Sequence, residues 1–284
     1  MILTTPELAN SLTARPLTLH HLASQQQAID VLGEVIDDIA VRGAEAVMSH
    51  EPLTPQPTPI THEQRRLVDS VASRRQSRLQ PGFDEGRRHD EVYRLAYVDR
   101  LYADAVVAQQ ELNRLAIKLA AHGGTPGWRT EPKSRERVLD KLEGEYENDA
   151  SQLKDLAGAK VQFDSVDAVY QALGRLAADP EVVILHIKDR FLNPQASGYR
   201  DLLLNLRMSN GHVGELRLHL VSLDDIAEWE HSLYEVRRDL SAAAEIEGRP
   251  LTQGERAIRD GLLRRVQNAY WSKVQEGLGE EPPR

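Results

Sequence analysis

The chain of 284 residues contains no cysteine. Disulfide bonds, thiolate metal sites and a cysteine nucleophile are excluded outright. A cysteine-free chain fits a reducing compartment, so a cytoplasmic location is the expectation. No stretch approaches the roughly 18 consecutive apolar residues of a membrane span, and no membrane partner is expected. The N-terminus lacks a basic segment followed by a long apolar core, so no secretory signal is expected. Basic residues are outnumbered, 35 against 44, and the formal charge of −9 is spread over both halves. No broad basic half therefore advertises nonspecific nucleic-acid binding. The patterns GxxxxGK, GxSxG and GxGxxG do not occur, so P-loop, α/β-hydrolase and Rossmann readings lack their chemistry. His186, His219 and His231 with Glu215 show no zinc spacing such as HExxH. No internal repeat is present.

What remains is a chain of 40% hydrophobic content, enough for one large domain or two small ones. In residues 26–42, Ala28, Ile29, Leu32, Val35, Ile36 and Ile39 recur at helical spacing before Gly43. Residues 51–60 hold four prolines and read as an extended linker. A longer helix is predicted over 84–121, its stripe formed by Leu95, Val98, Leu101, Ala105, Leu112, Leu115 and Leu119. Residues 1–122 are thus predicted to be all-helical.

The second half changes period. Strands are predicted over 159–163, 182–191, 202–208 and 213–221, the last two joined by the turn Ser209-Asn210-Gly211. Asp164 or Ser165 caps a helix burying Val166, Val169, Leu173 and Leu176. Ser222 with Asp225, and Thr252 with Glu255, open two further helices, the second running to about residue 277. The expected fold is α+β: a mixed, largely antiparallel sheet of about five strands flanked by helices, with an all-helical N-terminal region. The expected divisions are a helical region over 1–122, an α+β domain over 123–250, and a C-terminal helix over 251–284 packing on it.

One strand carries most of the chemical information. Val213, Glu215, Arg217 and His219 share one face, and Gly214, Leu216, Leu218 and Leu220 the other. By pattern alone, this is either the floor of a polar ligand site or a half-solvated strand.

The order Lys188-Asp189-Arg190-Phe191, then Gly198-Tyr199-Arg200-Asp201-Leu202-Leu203-Leu204, then Gly214-Glu215-Leu216-Arg217-Leu218-His219-Leu220, then Glu230-His231-Ser232-Leu233-Tyr234-Glu235 resembles the RelA/SpoT nucleotidyltransferase domain. That domain is the synthetase module of alarmone enzymes. The resemblance covers about residues 125–245 and is closer to a divergent, toxin-like branch. It implies a pyrophosphokinase that moves pyrophosphate from ATP to the 3′-hydroxyl of a purine nucleotide, as in the synthesis of the guanosine tetra- and pentaphosphate alarmones of the stringent response. Some such proteins are growth-arresting toxins.

The resemblance also assigns roles. Asp155, opening Asp155-Leu156-Ala157-Gly158-Ala159-Lys160, and Glu215 are the implied catalytic carboxylates and magnesium ligands. Arg129, Lys133 and Lys141 are the implied grip on donor phosphates, with Lys160 and Lys188 as further cations. Tyr199 is the implied stacking surface for the acceptor base, and Arg200, Arg217 and His219 complete the nucleotide-binding set. The sequence departs from the family at four of these places and two more. Glu131 stands where an Arg is expected, Lys160 replaces an Arg, and Leu203 replaces a His. Arg217 stands for a Gln, and His219 for an Arg, while Arg129 lies two residues before the expected position. His231 and Tyr234 match a His-x-x-Tyr pair on the following helix.

Two further readings stay open. A toxin-type relative would transfer to the 3′ end of tRNA, using Arg256, Arg259, Arg264 and Arg265 on the last helix. A catalytically inactive relative would bind nucleotide or a protein partner, with residues 1–122 as the docking module. An antitoxin or self-association is the partner implied in the toxin-like case.

Overall fold

The computed structural model describes residues 19–73 and 77–279. The architecture is α+β, with one five-stranded mixed sheet flanked by helices. Every element among the described residues before position 123 is helical; residues 1–18 and 74–76 of that expectation lie outside the described residues. The chain divides into two compact units, each assembled from two separated stretches.

The first unit, residues 1–54 and 224–270, is helical among its described residues. It holds α1 (Leu19–Arg42), the single turn α2 (Ala44–Val47), α7 (Asp224–Ile246) and most of α8 (Gln253–Gly277). α1 starts earlier than the periodicity indicates and buries a narrower face: Ala28, Val31 and Val35 are buried, while Ile29 and Ile36 are about half exposed or more. At 100° per residue those two isoleucines sit at the edge of the stripe. Gly261 of α8 lies so close to α1 that a Cβ would stand 2.8 Å from Val35. Arg265 ties the same two helices through Glu34 and Asp38 at 3.1 and 2.8 Å. α8 opens with the expected capping box, in which Thr252 Oγ1 accepts from the Glu255 amide and the Glu255 carboxylate accepts from the Thr252 amide.

The second unit, residues 55–223 and 271–284, contains α3 (His62–Ala72), α4 (Glu91–Ala120), β1 (Thr125–Trp128), α5 (Arg135–Gly144), β2 (Gly158–Phe163), α6 (Val166–Ala178), β3 (Val183–Asp189), β4 (Leu202–Arg207) and β5 (Val213–Leu220). α4 begins at 91 rather than 84, because the Asp90 carboxylate accepts from the Tyr93 amide and caps it there. Ser165, not Asp164, caps α6. β1 is not foreshadowed by the sequence. It contains Pro126 and Gly127, which a strand tolerates at a sheet edge, and pairs only with β2.

The strand order is β1-β2-β5-β4-β3. Three pairings are antiparallel; β2 and β5 run parallel, with Gly158 opposite Glu215 and Lys160 opposite Arg217. The apolar face of the sheet is packed by helices. Leu112 of α4 presses so closely on β5 that a Cβ at Gly214 would stand 2.7 Å from it.

The polar face reads as two rungs. One runs Gly127, Lys160, Arg217, Leu203, Lys188 across all five strands; the other runs Gly158, Glu215, Asn205, His186. The cross-strand neighbour of Glu215 is therefore Asn205. Arg207, a candidate ion-pair partner from sequence, sits opposite Val213 and donates to the Ser77 carbonyl.

Two glutamines hold the N-terminal ends of β2 and β5. Gln109 of α4 bonds both the amide and the carbonyl of Gly158, at 2.8 and 3.0 Å. Gln80, buried, does the same for Val213 at 2.9 and 2.8 Å and donates also to Leu153. A side-chain amide that satisfies three buried backbone groups leaves all three unpaired when removed. Gln80→Ala is expected to lower unfolding free energy by about 2–3 kcal/mol, read as a lower urea midpoint at unchanged slope.

Candidate active site

Asp155 lies three residues before β2, and the parallel register brings that loop beside Glu215. Its Oδ2 accepts from Lys133 Nζ at 2.7 Å and Lys141 Nζ at 3.2 Å. Both lysines are placed by α5. Ser134 caps the helix, so Lys133 stands just before it, and eight residues carry Lys141 back to the same side. The Lys133 carbonyl is fixed by the Tyr102 hydroxyl at 2.6 Å. Burial alone would raise the Asp155 pKa, but the two ammonium groups overcome it and hold the carboxyl down at about 2. Burial likewise works against the Lys141 charge, and Tyr146 and Asp155 more than reverse it. Lys141 also stands 5.1 Å over the Tyr146 ring. Asp155 Oδ1 is buried and has no hydrogen-bond partner among the described residues. An ionised oxygen left in that state is suited to a cation.

Glu215 accepts from Arg217 Nε at 2.7 Å. Behind Arg217 sits Asp201, fully buried, which takes both oxygens' worth of contact from Arg190 at 3.0 and 3.1 Å and a bond from the Tyr199 hydroxyl at 3.2 Å. Burial pushes the Asp201 carboxyl up against the pull of Arg190 and Arg217. Burial works against the Arg217 charge, while Glu215, Tyr199 and Asp201 lift its pKa above the ordinary value.

Two cavities meet at these groups. The smaller, about 220 Å³, is lined by Trp128, Arg129, Lys160 and the glycines 127 and 158. The larger, about 480 Å³, is lined by Lys141, Tyr146, Lys154, His186, Lys188, Arg190 and Arg78 among others. Asp155, Glu215 and Arg217 line both. Each cavity thus offers an aromatic ring and several cations on its own side of one carboxylate pair.

The structure brings together Arg129, Lys133, Lys141, Asp155, Lys160, Lys188, Glu215 and Arg217, through direct bonds or a shared cavity. Arg129 reaches its cavity with a guanidinium 3.4 Å from the Asp155 carbonyl, whereas Glu131 is exposed and lines neither cavity. Tyr199 is half-buried, with its hydroxyl on Asp201 rather than in a cavity. Arg200 is only 1% exposed. It donates to the carbonyls of Gly198 and Gln56 and stacks 5.3 Å over Trp271. His219 is buried near the end of β5 and lines neither cavity. His231 and Tyr234 belong to the helical unit and are exposed, with His231 3.6 Å from Glu235. The loop 192–197, expected to be mobile, is tied by backbone bonds from Asn193 to Asp189, Gln195 to Tyr199 and Gly198 to Gln195. Sequence reasoning missed Arg78, Lys154, Tyr146 and Trp128; only the aromatic residues among cations at Trp128 and Tyr146 left a readable signal.

Residues 130–237 match the family model described as a region found in RelA / SpoT proteins. This stretch is similar to RelA/SpoT proteins. No curated protein sequence matches the chain. Solved structures similar to it include the complex of the type VI effector Tas1 with its immunity protein (23% identity, 63% of this chain and 96% of that chain, TM-score 0.46). The small alarmone synthetase 1 of Bacillus subtilis bound to its product pppGpp shares 17% identity over 62% of this chain and 88% of that one, with a TM-score of 0.45. A GTP pyrophosphokinase family protein of Streptococcus pneumoniae shares 19% over 64% and 88%, TM-score 0.46. The RelA/SpoT match starts after β1 and ends within α7, so Trp128, Arg129 and Arg78 lie outside it.

Among the described residues no three His, Asp or Glu side chains converge to hold a metal by themselves. Asp155 and Glu215 are two carboxylates that both cavities share, and two such groups suit magnesium, which keeps waters and substrate phosphates as its other ligands.

Asp155 has a folded pKa below the ordinary value of 3.8. The stabilisation it gives is therefore complete above about pH 4 and is lost as pH falls through about 2. The gap in unfolding free energy between the native chain and Asp155→Asn is expected to narrow by about 2 kcal/mol between pH 5 and pH 2, measured by urea titration at each pH.

Proposed function

We propose that this protein is a nucleotide pyrophosphokinase, transferring the β,γ-pyrophosphate of ATP to the 3′-hydroxyl of a purine nucleotide. The observation that carries the reading is the single carboxylate pair shared by two cation-lined cavities, each with its own aromatic surface. Two nucleotides must meet end to end in such a transfer, and a wall of two acidic groups between two basic cavities is suited to that encounter.

ATP enters from the side of Trp128, Arg129 and Lys160, and its phosphates reach Lys133 and Lys141. The acceptor occupies the larger cavity. Its 3′-oxygen attacks the β-phosphorus, the bond from that phosphorus to the α,β-bridging oxygen breaks, and AMP leaves. Glu215 lies where it can accept the hydroxyl proton. Arg217, held against Glu215, neutralises charge that develops on the transferring group. Lys133 and Lys141 exchange Asp155 for phosphate oxygens, which frees both oxygens of that carboxylate. Asp155 and Glu215 would hold magnesium, which would supply charge neutralisation on the phosphates.

The test is incubation with γ-labelled ATP and magnesium, adding GDP, GTP, AMP, ADP, ATP and bulk tRNA in turn, with products separated by thin-layer chromatography. Glu215→Gln is expected to lower transfer by about a thousandfold or more. Because glutamine still accepts from Arg217, its melting temperature should stay close to that of the native chain. Unchanged turnover in a folded Glu215→Gln protein would refute the assignment. Labelled tRNA as the only product would replace the nucleotide acceptor by an RNA end.

A further inference from the structure

The carboxylate pair of the active site is met by more positive charge than it carries. Lys133 and Lys141 share Asp155 Oδ2 at 2.7 and 3.2 Å, and Arg217 holds Glu215 at 2.7 Å. Three cations thus answer two carboxylates, and Arg129, Lys154 and Lys188 line the cavities beyond them. The side chains of Lys133, Lys141 and Asp155 are each no more than 20% exposed, so salt screens the cluster weakly. Asp155 Oδ1 is buried and has no hydrogen-bond partner among the described residues. A donor atom suited to a metal is therefore present, while the charge that would attract a dication is already cancelled.

The two lysines are not held alike. The Lys133 backbone is fixed by the Tyr102 hydroxyl at its carbonyl, and its ammonium makes the shorter bond to Asp155. Lys141 makes the longer contact and stands 5.1 Å over the ring of Tyr146. Lys141 lies in the last turn of α5 and Tyr146 just beyond its end, and both line the larger cavity. An aromatic face attracts an ammonium group. Lys141 therefore has a second seat, which it reaches by side-chain rotation without leaving the cavity.

We propose that Lys141 is a movable counter-ion, which closes the metal site of the free chain and opens it by moving to Tyr146 when the donor's phosphates arrive. In the free chain the lysines supply the positive charge that a metal would bring, so a divalent cation alone is refused. A polyphosphate brings the negative charge that a dication needs and draws both lysines off Asp155. Metal and donor then bind with reciprocal coupling, each tightening the other. The identity of the donor as ATP rests on the pyrophosphokinase reading; the refusal of metal by the free chain does not.

The experiment is titration of the full chain with Mn²⁺ in the absence of nucleotide, followed by the paramagnetic resonance signal of the free ion. Lys141→Ala is expected to bind Mn²⁺ about tenfold or more tighter than the native chain. Adding Asp155→Asn to that variant should abolish the gain, which places the ion at Asp155. Lys133→Ala should also gain, and serves where Lys141→Ala fails to fold. Calorimetry in EDTA with a non-hydrolysable ATP analogue should show the opposite sign, with Lys141→Ala binding it about tenfold more weakly. A lysine that only supported the fold would move both affinities the same way. The factor by which saturating Mn²⁺ tightens the analogue should fall about threefold in Tyr146→Ala and stay native in Tyr146→Phe. Complexation of metal by the analogue in solution is common to all variants and cancels. Equal Mn²⁺ affinity in the native chain and both lysine variants, a gain that survives Asp155→Asn, or native coupling in Tyr146→Ala would overturn the proposal. Transfer by a native chain that binds Mn²⁺ as tightly as the variants would overturn it while leaving the pyrophosphokinase reading intact. A metal gain in the variants, but no transfer to any acceptor, would uphold the counter-ion and remove the transfer reading.

Discussion

The site depends on one parallel seam in a sheet that is otherwise antiparallel. Because β2 and β5 run the same way with Gly158 opposite Glu215, their starting ends coincide, and the loop that carries Asp155 meets the strand that carries Glu215. The antiparallel β1 turns its far end toward the same place and delivers Arg129. A slip of one residue in β5 would turn Glu215 and Arg217 onto the helix-packed face. Three features oppose that slip: Leu112 seated on Gly214, Gln109 on Gly158, and Gln80 on Val213. The register of the seam is thus held from outside the sheet, by α4 and by the segment before it.

Charge at the site is arranged locally rather than by the chain as a whole, which carries −9. Asp155 is matched by two lysines, Glu215 by Arg217 and Asp201 by Arg190. These pairs fix the positions of side chains that would otherwise pay rotamer entropy at each encounter with substrate.

Four of the five strands and the longer helices were legible, because their signals are local, whereas the short α3 and α5 were not marked as elements. Alternating apolar residues mark β2 to β5, and Ser165 and Thr252 mark helix starts through their own side chains. β1 was not, since two of its four residues, Pro126 and Gly127, speak against a strand and only the partner at the sheet edge makes it one. Asp155 and Glu215 were readable as acids in apolar surroundings with a family resemblance behind them. The convergence of Lys133 and Lys141 on one oxygen of Asp155 depends on the path of α5 and could be suggested but not placed. Arg78 and Lys154 were invisible: nothing in one dimension sets an arginine of a loop against a histidine 108 residues later. Arg200 shows the opposite failure, for a cation beside a motif tyrosine invites a ligand role, while the chain uses it to hold two carbonyls beneath Trp271. Glu131 looks damaging in a string of residues, yet it is exposed and lines neither cavity.

The buried guanidinium of Arg200 bears on modularity. It joins the Gly198 loop to Gln56 and to Trp271, and Gly277 is seated within 2.8 Å of Leu220, as measured from where its Cβ would stand. The sheet is therefore closed by segments some 74 residues before and 34 residues after the ends of the stretch 130–237, taking Gln56 and Trp271 as the outer points. A fragment cut at the boundaries of the sequence match would expose an uncompensated arginine and an open hydrophobic seat at the end of β5. The heritable unit that similarity detects and the unit that can be expressed, exchanged or fused are different lengths of this chain.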